Sequence, residues 1–237
     1  MAKNMSNHEQ LIIAGPCAAE SHQQVMYSAE RARERGIKIL RACIDKPRTM
    51  PGFEGRGNEA ISWLFDVAQM GLFPATEVLL PKQADATMNG VLGRDSNTNL
   101  LLWLGSRNQN HQIQRAIGKS VAGEPRVKLM IKNQMWPDKN HWIGIVKHVL
   151  DGGASLDQIW LCHRGFAPSL NGCRNPPNLQ MALEVQHSLW QEYGVELPLI
   201  GDPSHIAGHS ADNVITMAKR ILDFDWESPE GKTKKVI

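Results

Sequence analysis

Positively charged side chains recur directly after the apolar segments of this chain. Arginine binds phosphate and carboxylate oxygens in a fork, and lysine acts as a movable point charge or proton donor. Singly, each of these cations is more often a surface or salt-bridge residue than a ligand contact. Gathered at one place they would repel one another unless a ligand neutralised them, so together they predict a site for a small phosphorylated anion. The cations are Arg41, Lys46, Arg48, Arg107, Lys132 and Arg164.

The turn Lys46-Pro47-Arg48-Thr49 is the most informative of these segments. Proline has a fixed φ and no N–H, so the turn is stiff and holds the two cations on either side of it in place. A glycine-spaced loop with Gly55 and Gly57 follows, whose backbone can approach a ligand closely. A solvated basic loop is the alternative interpretation of this segment taken alone.

A second group of reactive side chains also follows apolar segments. Cys17 and His205 would meet if the first and last strands of the fold lie close together, and a thiolate with an imidazole suits a divalent transition metal. An inert thiol and a hydrogen-bonded structural histidine are the alternatives for the two residues taken singly. Glu77, His163 and Asp202 are the other reactive residues at such positions.

Seven short apolar segments alternate with segments of helical periodicity. Strict alternation of strands and helices predicts a parallel sheet with right-handed crossovers. The predicted strands are residues 11–14, 37–44, 72–78, 100–104, 127–131, 159–162 and 197–200. The predicted helices include residues 23–34, 59–69, 141–150, 178–192 and 211–222.

Almost every predicted strand ends in polar, charged or glycine residues, which favours a TIM-type (β/α)8 barrel. A doubly wound open sheet would concentrate such groups at one or two strand ends instead. After residue 222 no confident eighth strand follows, so we expect the barrel to be incomplete or atypical at its eighth unit. We expect a single domain over residues 1–226 and a polar tail over 227–237. The exposed edges of the first and seventh strands would then favour a homo-oligomer.

Composition excludes several classes of protein. The chain has 237 residues and a net charge of +2, which gives no indication of a nucleic-acid or membrane surface. No apolar run reaches the roughly 18 residues that a membrane span needs, and the polar first ten residues do not resemble a signal peptide. Four scattered cysteines without a C-x-x-C pair are typical of free thiols in the cytoplasm.

The motifs together resemble DAHP synthase, and their order and spacing match over roughly residues 11 to 222. Besides the Lys46–Thr49 turn, the matching segments are Gly15-Pro16-Cys17, Ala75-Thr76-Glu77, Gly105-Ser106-Arg107, Lys132-Asn133, His163-Arg164-Gly165-Phe166 and Asp202-Pro203-Ser204-His205. Trp136-Pro137-Asp138, Trp142-Ile143-Gly144 and Arg174-Asn175 are similar to the short form that some bacteria fuse to chorismate mutase.

The resemblance implies a condensation of phosphoenolpyruvate with erythrose 4-phosphate, at the entry to the shikimate pathway of aromatic amino-acid biosynthesis. It implies that Arg107, Lys132 and Arg164 bind phosphoenolpyruvate, with help from Arg41 and Lys46. Arg48 and Thr49 would bind the aldose phosphate in a pocket shaped by Lys46 and Pro47. Lys46, Cys17 and His205 would take part in catalysis.

The resemblance also implies a divalent metal ion of the manganese, iron, cobalt or zinc type. Cys17 and His205 match two of the four ligands of that family. The other two, a glutamate on the eighth strand and an aspartate beyond it, have no counterpart in this sequence. An alternative therefore stays open: a catalytically impaired relative that binds phosphorylated anions or pairs with a complete synthase.

Overall fold

The computed structural model describes residues 11–47, 51–94, 97–170, 173–208 and 210–224. Strands and helices alternate through these residues, as the sequence predicts. The strands are β1 (Ile13–Ala14), β2 (Ile39–Arg41), β3 (Phe73–Glu77), β4 (Leu100–Leu104), β5 (Val127–Lys132), β6 (Ile159–His163) and β7 (Leu199–Gly201). The helices are α1 (His22–Glu34), α2 (Ile61–Gln69), α3 (Pro81–Val91), α4 (His111–Val121), α5 (Lys139–Asp151), α6 (Leu179–Tyr193), α7 (Pro203–Ala207) and α8 (Ala211–Leu222).

The seven strands form one sheet in the order β1-β2-β3-β4-β5-β6-β7, and all of its pairs are parallel. Each strand thus lies beside the next strand in the chain, as in a barrel and unlike a doubly wound sheet. Within the described residues β1 and β7 are not paired with each other. The sheet is therefore a curled, seven-stranded part of a TIM-type barrel and not a full barrel.

Side chains alternate along the strands between two apolar layers. On β4, Leu100, Leu102 and Leu104 pack against the helices, whereas Leu101 and Trp103 belong to a smaller cluster inside the curve of the sheet. This period of two follows from strand geometry. The interior cluster also contains Ile39, Cys43, Ala75, Met130, Cys162 and Ile200. The inner face of the sheet therefore carries mixed side chains, and the outer face carries most of the core.

The predicted strand 37–44 is too long. The strand ends at Arg41. After it, the N–H of Ala42 donates to the carbonyl oxygen of Ala75, and the N–H of Ile44 donates to the Thr76 hydroxyl at 3.1 Å. Residues 42 to 44 are buried, which explains their apolar types, but they run into the turn that carries Lys46. A buried apolar run cannot by itself distinguish strand from buried loop.

Two parts of the sequence interpretation lie outside the described residues. These are the predicted tail over 227–237 and two members of the cationic turn, Arg48 and Thr49. Among the residues that the structure does describe, no helix is both long and apolar enough to cross a membrane.

Glycine brings the outer helices α4 and α5 into close contact. A Cβ at Gly118 of α4 would lie 2.2 Å from the carbonyl oxygen of Val149 on α5. Gly144 on α5 is also helical but has no neighbour within 4 Å of such a Cβ. The two positions therefore separate the backbone effect of glycine from its packing effect.

We predict that Gly118→Ala destabilises the protein, by about 1–3 kcal/mol, because the methyl group forces the two helices apart. Gly144→Ala should stabilise it by about 0.5–1 kcal/mol, since alanine is the better helix former. Urea denaturation of both variants measures the two effects. Equal shifts of the midpoint would contradict the assigned helix contact.

Candidate functional site

A cavity of about 480 Å³ opens at the carboxyl ends of the strands, where the sequence predicts the site. It brings together residues that are far apart in the chain. Four of the predicted site residues line it, namely Cys17, Arg41, Lys132 and His205. The lining also includes Gly15, Trp103, Met130, Cys162, Arg174, Asp202 and Ser204.

A buried ion pair lines the cavity. Lys132 ends β5, and its Nζ lies 2.8 Å from Oδ2 of Asp202, with side chains only 6% and 9% exposed. Burial opposes both charges, but the mutual attraction raises the pKa of Lys132 and holds that of Asp202 well below its usual range. Both groups are therefore charged at neutral pH.

Asp202 also organises the segment that follows it. Its Oδ1 accepts hydrogen bonds from the N–H of His205 at 3.1 Å and from the Ser204 hydroxyl at 2.8 Å, so it caps α7. Its Oδ2 lies 2.7 Å from Nδ1 of His205. One carboxylate thus fixes the positions of Lys132 and His205.

Arg41 supplies a second, partly buried cation at the carboxyl end of β2. Burial would lower its pKa, but nearby Cys43, Asp202 and Cys17 raise it overall. Its guanidinium carbon lies 5.1 Å from the centroid of the Trp103 ring, and Nζ of Lys132 lies 5.3 Å from the same centroid. Two cations therefore flank one indole on the inner face of the sheet.

Cys17 and Lys46 form a close pair near the mouth of the cavity. Nζ of Lys46 lies 2.7 Å from Sγ of Cys17. Burial alone would raise the pKa of Cys17, but this hydrogen bond and the charges of Lys46, Arg41 and Lys132 lower it overall. Gly15 permits the approach of β1 to β2, because a Cβ there would lie 2.1 Å from the carbonyl oxygen of Arg41.

His205 faces the same cavity with its side chain 32% exposed. Burial is the main cause of its lowered pKa, which keeps the imidazole neutral at neutral pH. The nearby Asp202 carboxylate has the opposite, smaller effect of raising that pKa. Its backbone carbonyl accepts a hydrogen bond of 2.6 Å from the Asn175 side chain. The residue is therefore held at both its backbone and its ring.

The chemistry of Cys17 and His205 fits two ligands of a transition metal. A thiol with a lowered pKa and a neutral imidazole are the forms that bind metals, and a carboxylate behind the imidazole is a common support for a ligating histidine. Among the described residues, no group of three or more His, Cys, Asp or Glu side chains is placed to hold a metal. The described part of the chain thus supplies a partial set of ligands.

Arg164 does not line the cavity and is held by two asparagines. Its Nη1 donates to Oδ1 of Asn175 at 2.9 Å, and its backbone N–H donates to Oδ1 of Asn133 at 2.7 Å. Its pKa is lowered, chiefly by burial, and the positive charges of Arg174 and Arg107 also act on it. Arg107 itself is exposed.

Glu77 ends β3 inside the curve of the sheet and is nearly buried. Burial raises its pKa, although the charges of Lys132, Lys46 and Arg41 act in the opposite direction. Its carboxylate fills the space beside Gly105, where a Cβ would lie 2.0 Å from Oε1. The glutamate carboxylate thus lies close enough to Lys132, Lys46 and Arg41 for their charges to act on it.

His163 does not belong to the cavity, although it ends a strand. Its ring lies between the sheet and the helices, 6.0 Å from the ring of Trp142 and 5.3 Å from that of Phe166. Its Nε2 accepts a hydrogen bond of 3.0 Å from the N–H of Asn178. Burial lowers its pKa to about 3. The alternation of side chains along β6 explains this, because Cys162 faces inward and His163 outward.

The sequence interpretation gave no site role to Trp103, Arg174 or Asn175, although the last two are part of the resemblance. Trp103 could have been found from the alternation along β4, because it pairs in register with Glu77. The contacts of Asn175 with Arg164 and His205 join segments that no local pattern connects.

The comparison with known families agrees with this geometry. Residues 3–224 match the sequence model of the DAHP synthetase I family. The chain belongs to the DAHP synthetase I family. The resemblance noted from the motifs is thereby confirmed.

Individual relatives come from Thermotoga maritima. A phospho-2-dehydro-3-deoxyheptonate aldolase of that organism is 27% identical over 218 residues, which are 89% of this chain and 57% of the relative. The crystal structure of phospho-2-dehydro-3-deoxyheptonate aldolase (DAHP synthase) from the same organism superimposes with a TM-score of 0.71 at 24% identity, covering 89% of this chain and 55% of the other.

A truncated form of 3-deoxy-D-arabino-heptulosonate 7-phosphate synthase from Thermotoga maritima gives a TM-score of 0.68 at 24% identity. That comparison covers 90% of this chain and 71% of the truncated one. The chain therefore spans little more than half the length of the full-length relatives that it matches. The structural likeness establishes the barrel-type fold.

We predict that Lys46→Met raises the pH at which Cys17 becomes reactive, because the variant loses the hydrogen bond and the charge that stabilise the thiolate. The rate of alkylation by iodoacetamide, followed against pH, measures this midpoint. A Cys17→Ser variant identifies the contribution of the other thiols. Coinciding profiles for wild type and Lys46→Met would contradict the pairing.

The buried His163 should make stability depend on pH. The unfolded histidine takes up a proton near its ordinary pKa of roughly 6.5, whereas the folded one stays neutral down to a pKa of about 3. Stability should therefore fall as the pH drops between these values, by up to about 1.4 kcal/mol per pH unit.

The matched variant is His163→Gln, since glutamine keeps an acceptor for Asn178 but does not titrate. Urea denaturation between pH 7 and pH 4 should show a shallower loss of stability for this variant than for wild type. Parallel pH profiles would show that His163 has the same pKa in the folded and the unfolded protein, which would contradict its lowered pKa.

Proposed function

We propose that the chain condenses phosphoenolpyruvate with erythrose 4-phosphate to give DAHP and inorganic phosphate, with the help of a divalent metal. The observation that carries the proposal is one cavity, in a member of the DAHP synthetase I family, that is lined by a buried lysine and a partly buried arginine together with a thiol and an imidazole. Its polar groups suit one substrate with a phosphate and a carboxylate and a second with an aldehyde.

Lys132 and Arg41 are the proposed anchors of phosphoenolpyruvate. The Lys132 ammonium has three N–H donors, and the ion pair with Asp202 uses one of them at 2.8 Å. The others can donate to a phosphate or carboxylate oxygen while Asp202 stays in place. Arg164 and Arg107 are proposed to extend the anion site, because their charges act on each other at the side of the cavity.

The aldose phosphate is proposed to lie toward the Lys46 turn. Lys46 and Pro47 are the described members of that turn, and Arg48 and Thr49 complete it in the sequence. Lys46 contacts Cys17, so the aldehyde end of this substrate would lie near the thiol and the phosphate end would point along the turn. This arrangement would put the aldehyde next to the enol carbon of phosphoenolpyruvate.

The proposed reaction forms one carbon–carbon bond, consumes one water and breaks the carbon–oxygen bond to phosphate. The enol carbon attacks the aldehyde, whose oxygen takes up a proton from water. The oxygen of that water bonds to the cationic carbon that carries the phosphate, and phosphate then leaves with its bridging oxygen as this carbon becomes a carbonyl. Cations around the phosphate stabilise the charge that develops there. Glu77, with its raised pKa, is proposed to order the cations or to take up a proton.

Cys17 and His205 are proposed to hold two positions of a metal ion of the manganese, iron, cobalt or zinc type that membership of this family implies. When bound, the ion would supply Lewis acidity to the aldehyde oxygen. Asp202 would orient the imidazole of His205 through Nδ1, and burial would keep the ring neutral. Further ligands would have to come from outside the residues that the structure describes.

A second candidate is a catalytically impaired relative that binds phosphorylated anions or pairs with a complete synthase. The partial set of metal ligands in the described residues favours it. Self-association also stays a prediction, based on the outer edges of β1 and β7 that end the described sheet. The cytoplasmic location is likewise a prediction from composition.

Phosphate release from the two substrates with added Mn²⁺ tests the proposed reaction, and calorimetry tests its binding step. Lys132→Met and Arg107→Ala should each weaken phosphoenolpyruvate binding by about 1.5–3 kcal/mol, the worth of a charge-assisted hydrogen bond. Cys17→Ala should leave that binding nearly unchanged, because the metal serves the aldehyde.

Lys128→Met is the matched control, since Lys128 lies on the same strand and binds the carbonyl oxygen of Asp157 instead. Loss of phosphoenolpyruvate binding in Cys17→Ala but not in Lys132→Met would show that the two halves of the site are assigned in reverse. Binding of phosphoenolpyruvate without turnover would favour the impaired relative.

A further inference from the structure

Trp103 lies at the centre of the charged groups of the cavity, although it is an apolar residue of the inner face. It is 1% exposed, and both Arg41 and Lys132 lie over its ring, at 5.1 Å and 5.3 Å from the centroid. Both distances are within the roughly 6 Å at which a cation is attracted to the face of an indole. One side chain thus contacts both proposed anchors of phosphoenolpyruvate.

A third contact fixes the orientation of the ring. The Trp103 side chain forms a hydrogen bond with the Glu77 carboxylate, and the two residues are partners in the register of β4 with β3. Indole has only a donor, so its N–H must be the group that points to Glu77. The absence of a side chain at Gly105 leaves the space in which that carboxylate lies.

The electrostatic problem at this place is the proximity of a buried ammonium and a partly buried guanidinium, for which Asp202, paired with Lys132, is one neutralising carboxylate. A second carboxylate between the two cations would neutralise both and compete with an anionic ligand. The face of an aromatic ring attracts each cation through its quadrupole but adds no net charge, and the attraction is stronger where water is excluded. The ring therefore holds the two cations without adding a negative charge to that of Asp202.

We propose that Trp103 is a positioning residue of the anion site, which holds Arg41 and Lys132 beside each other without neutralising them. The proposal rests on the proposed function, because it concerns the same anion. It goes beyond that function by naming an aromatic face, in addition to the cations, as a determinant of affinity. If Trp103 only filled space, an aliphatic side chain would serve equally well.

The test compares variants that separate the ring face from its volume. Trp103→Phe keeps a ring face and loses the N–H, whereas Trp103→Leu and Trp103→Met fill space without a ring. Trp142→Phe is the control, because Trp142 is equally buried but packs in the outer layer against His163. Calorimetric titration with phosphoenolpyruvate and with inorganic phosphate gives the affinities, and urea denaturation confirms that each variant is folded.

We expect Trp103→Leu and Trp103→Met to bind both anions about tenfold or more weakly, and Trp103→Phe to stay within about threefold of wild type. Trp142→Phe should change the denaturation midpoint but not the affinities. Wild-type affinity in Trp103→Leu or Trp103→Met would overturn the role of Trp103 and leave the proposed function intact.

A third outcome is that the wild-type protein does not bind phosphoenolpyruvate, while the affinities of the variants for inorganic phosphate follow the expected order. This result would overturn the proposed substrate and support the role of Trp103. No binding of either anion to the wild-type protein would overturn both. The four results are distinguishable because each anion is titrated into every variant.

A second measurement avoids any change of shape. Replacement of the seven tryptophans by fluorinated tryptophans withdraws charge from the ring faces, and anion affinity should fall with each added fluorine. The same labelling of Trp103→Phe removes the ring in question and should abolish this trend. A trend that persists in Trp103→Phe, or none in wild type, would overturn the proposal even if the aliphatic variants failed to fold.

Discussion

The buried ion pair between Lys132 and Asp202 is the contact on which the geometry of the cavity depends. It joins the end of β5 to the start of α7, and the same carboxylate caps that helix and approaches the His205 ring. Removing one partner of a buried pair typically costs about 3–5 kcal/mol, because the other charge is left uncompensated. The pair therefore fixes the cation and the imidazole relative to each other.

The other charges of the site are arranged around this pair so that positive charge stays in excess. Arg41 lies within electrostatic range of Asp202, and Trp103 contacts both Arg41 and Lys132 without neutralising either. A second carboxylate on which these cations act, that of Glu77, has a pKa raised by burial. The negative charge of a bound anion would thus neutralise the excess positive charge of the cavity. Such an excess is expected of an anion site before its ligand binds.

Local sequence patterns were sufficient for the elements and for most of the strand-end residues. The alternation of apolar segments and helical periodicity located all seven strands, and parallel order followed from the connections between them. Lys132 and Arg41 could be expected at the cavity because each follows a buried segment. The pattern failed at residues 42 to 44 and at His163, since apolar character and position at a strand end do not say which face a side chain takes.

The sequence by itself determined the residue types, the order of the strands and the end of the sheet at which the cavity lies. Only the tertiary structure decided which of those residues meet. Lys132 and Asp202 are 70 positions apart, and Asn175 joins Arg164 to His205 across the loops of different strands. These contacts follow from the curvature of the sheet, which brings the inward faces of β2, β4, β5 and β7 together. No local pattern encodes the distances between these side chains, because they depend on the packing of all the strands at once.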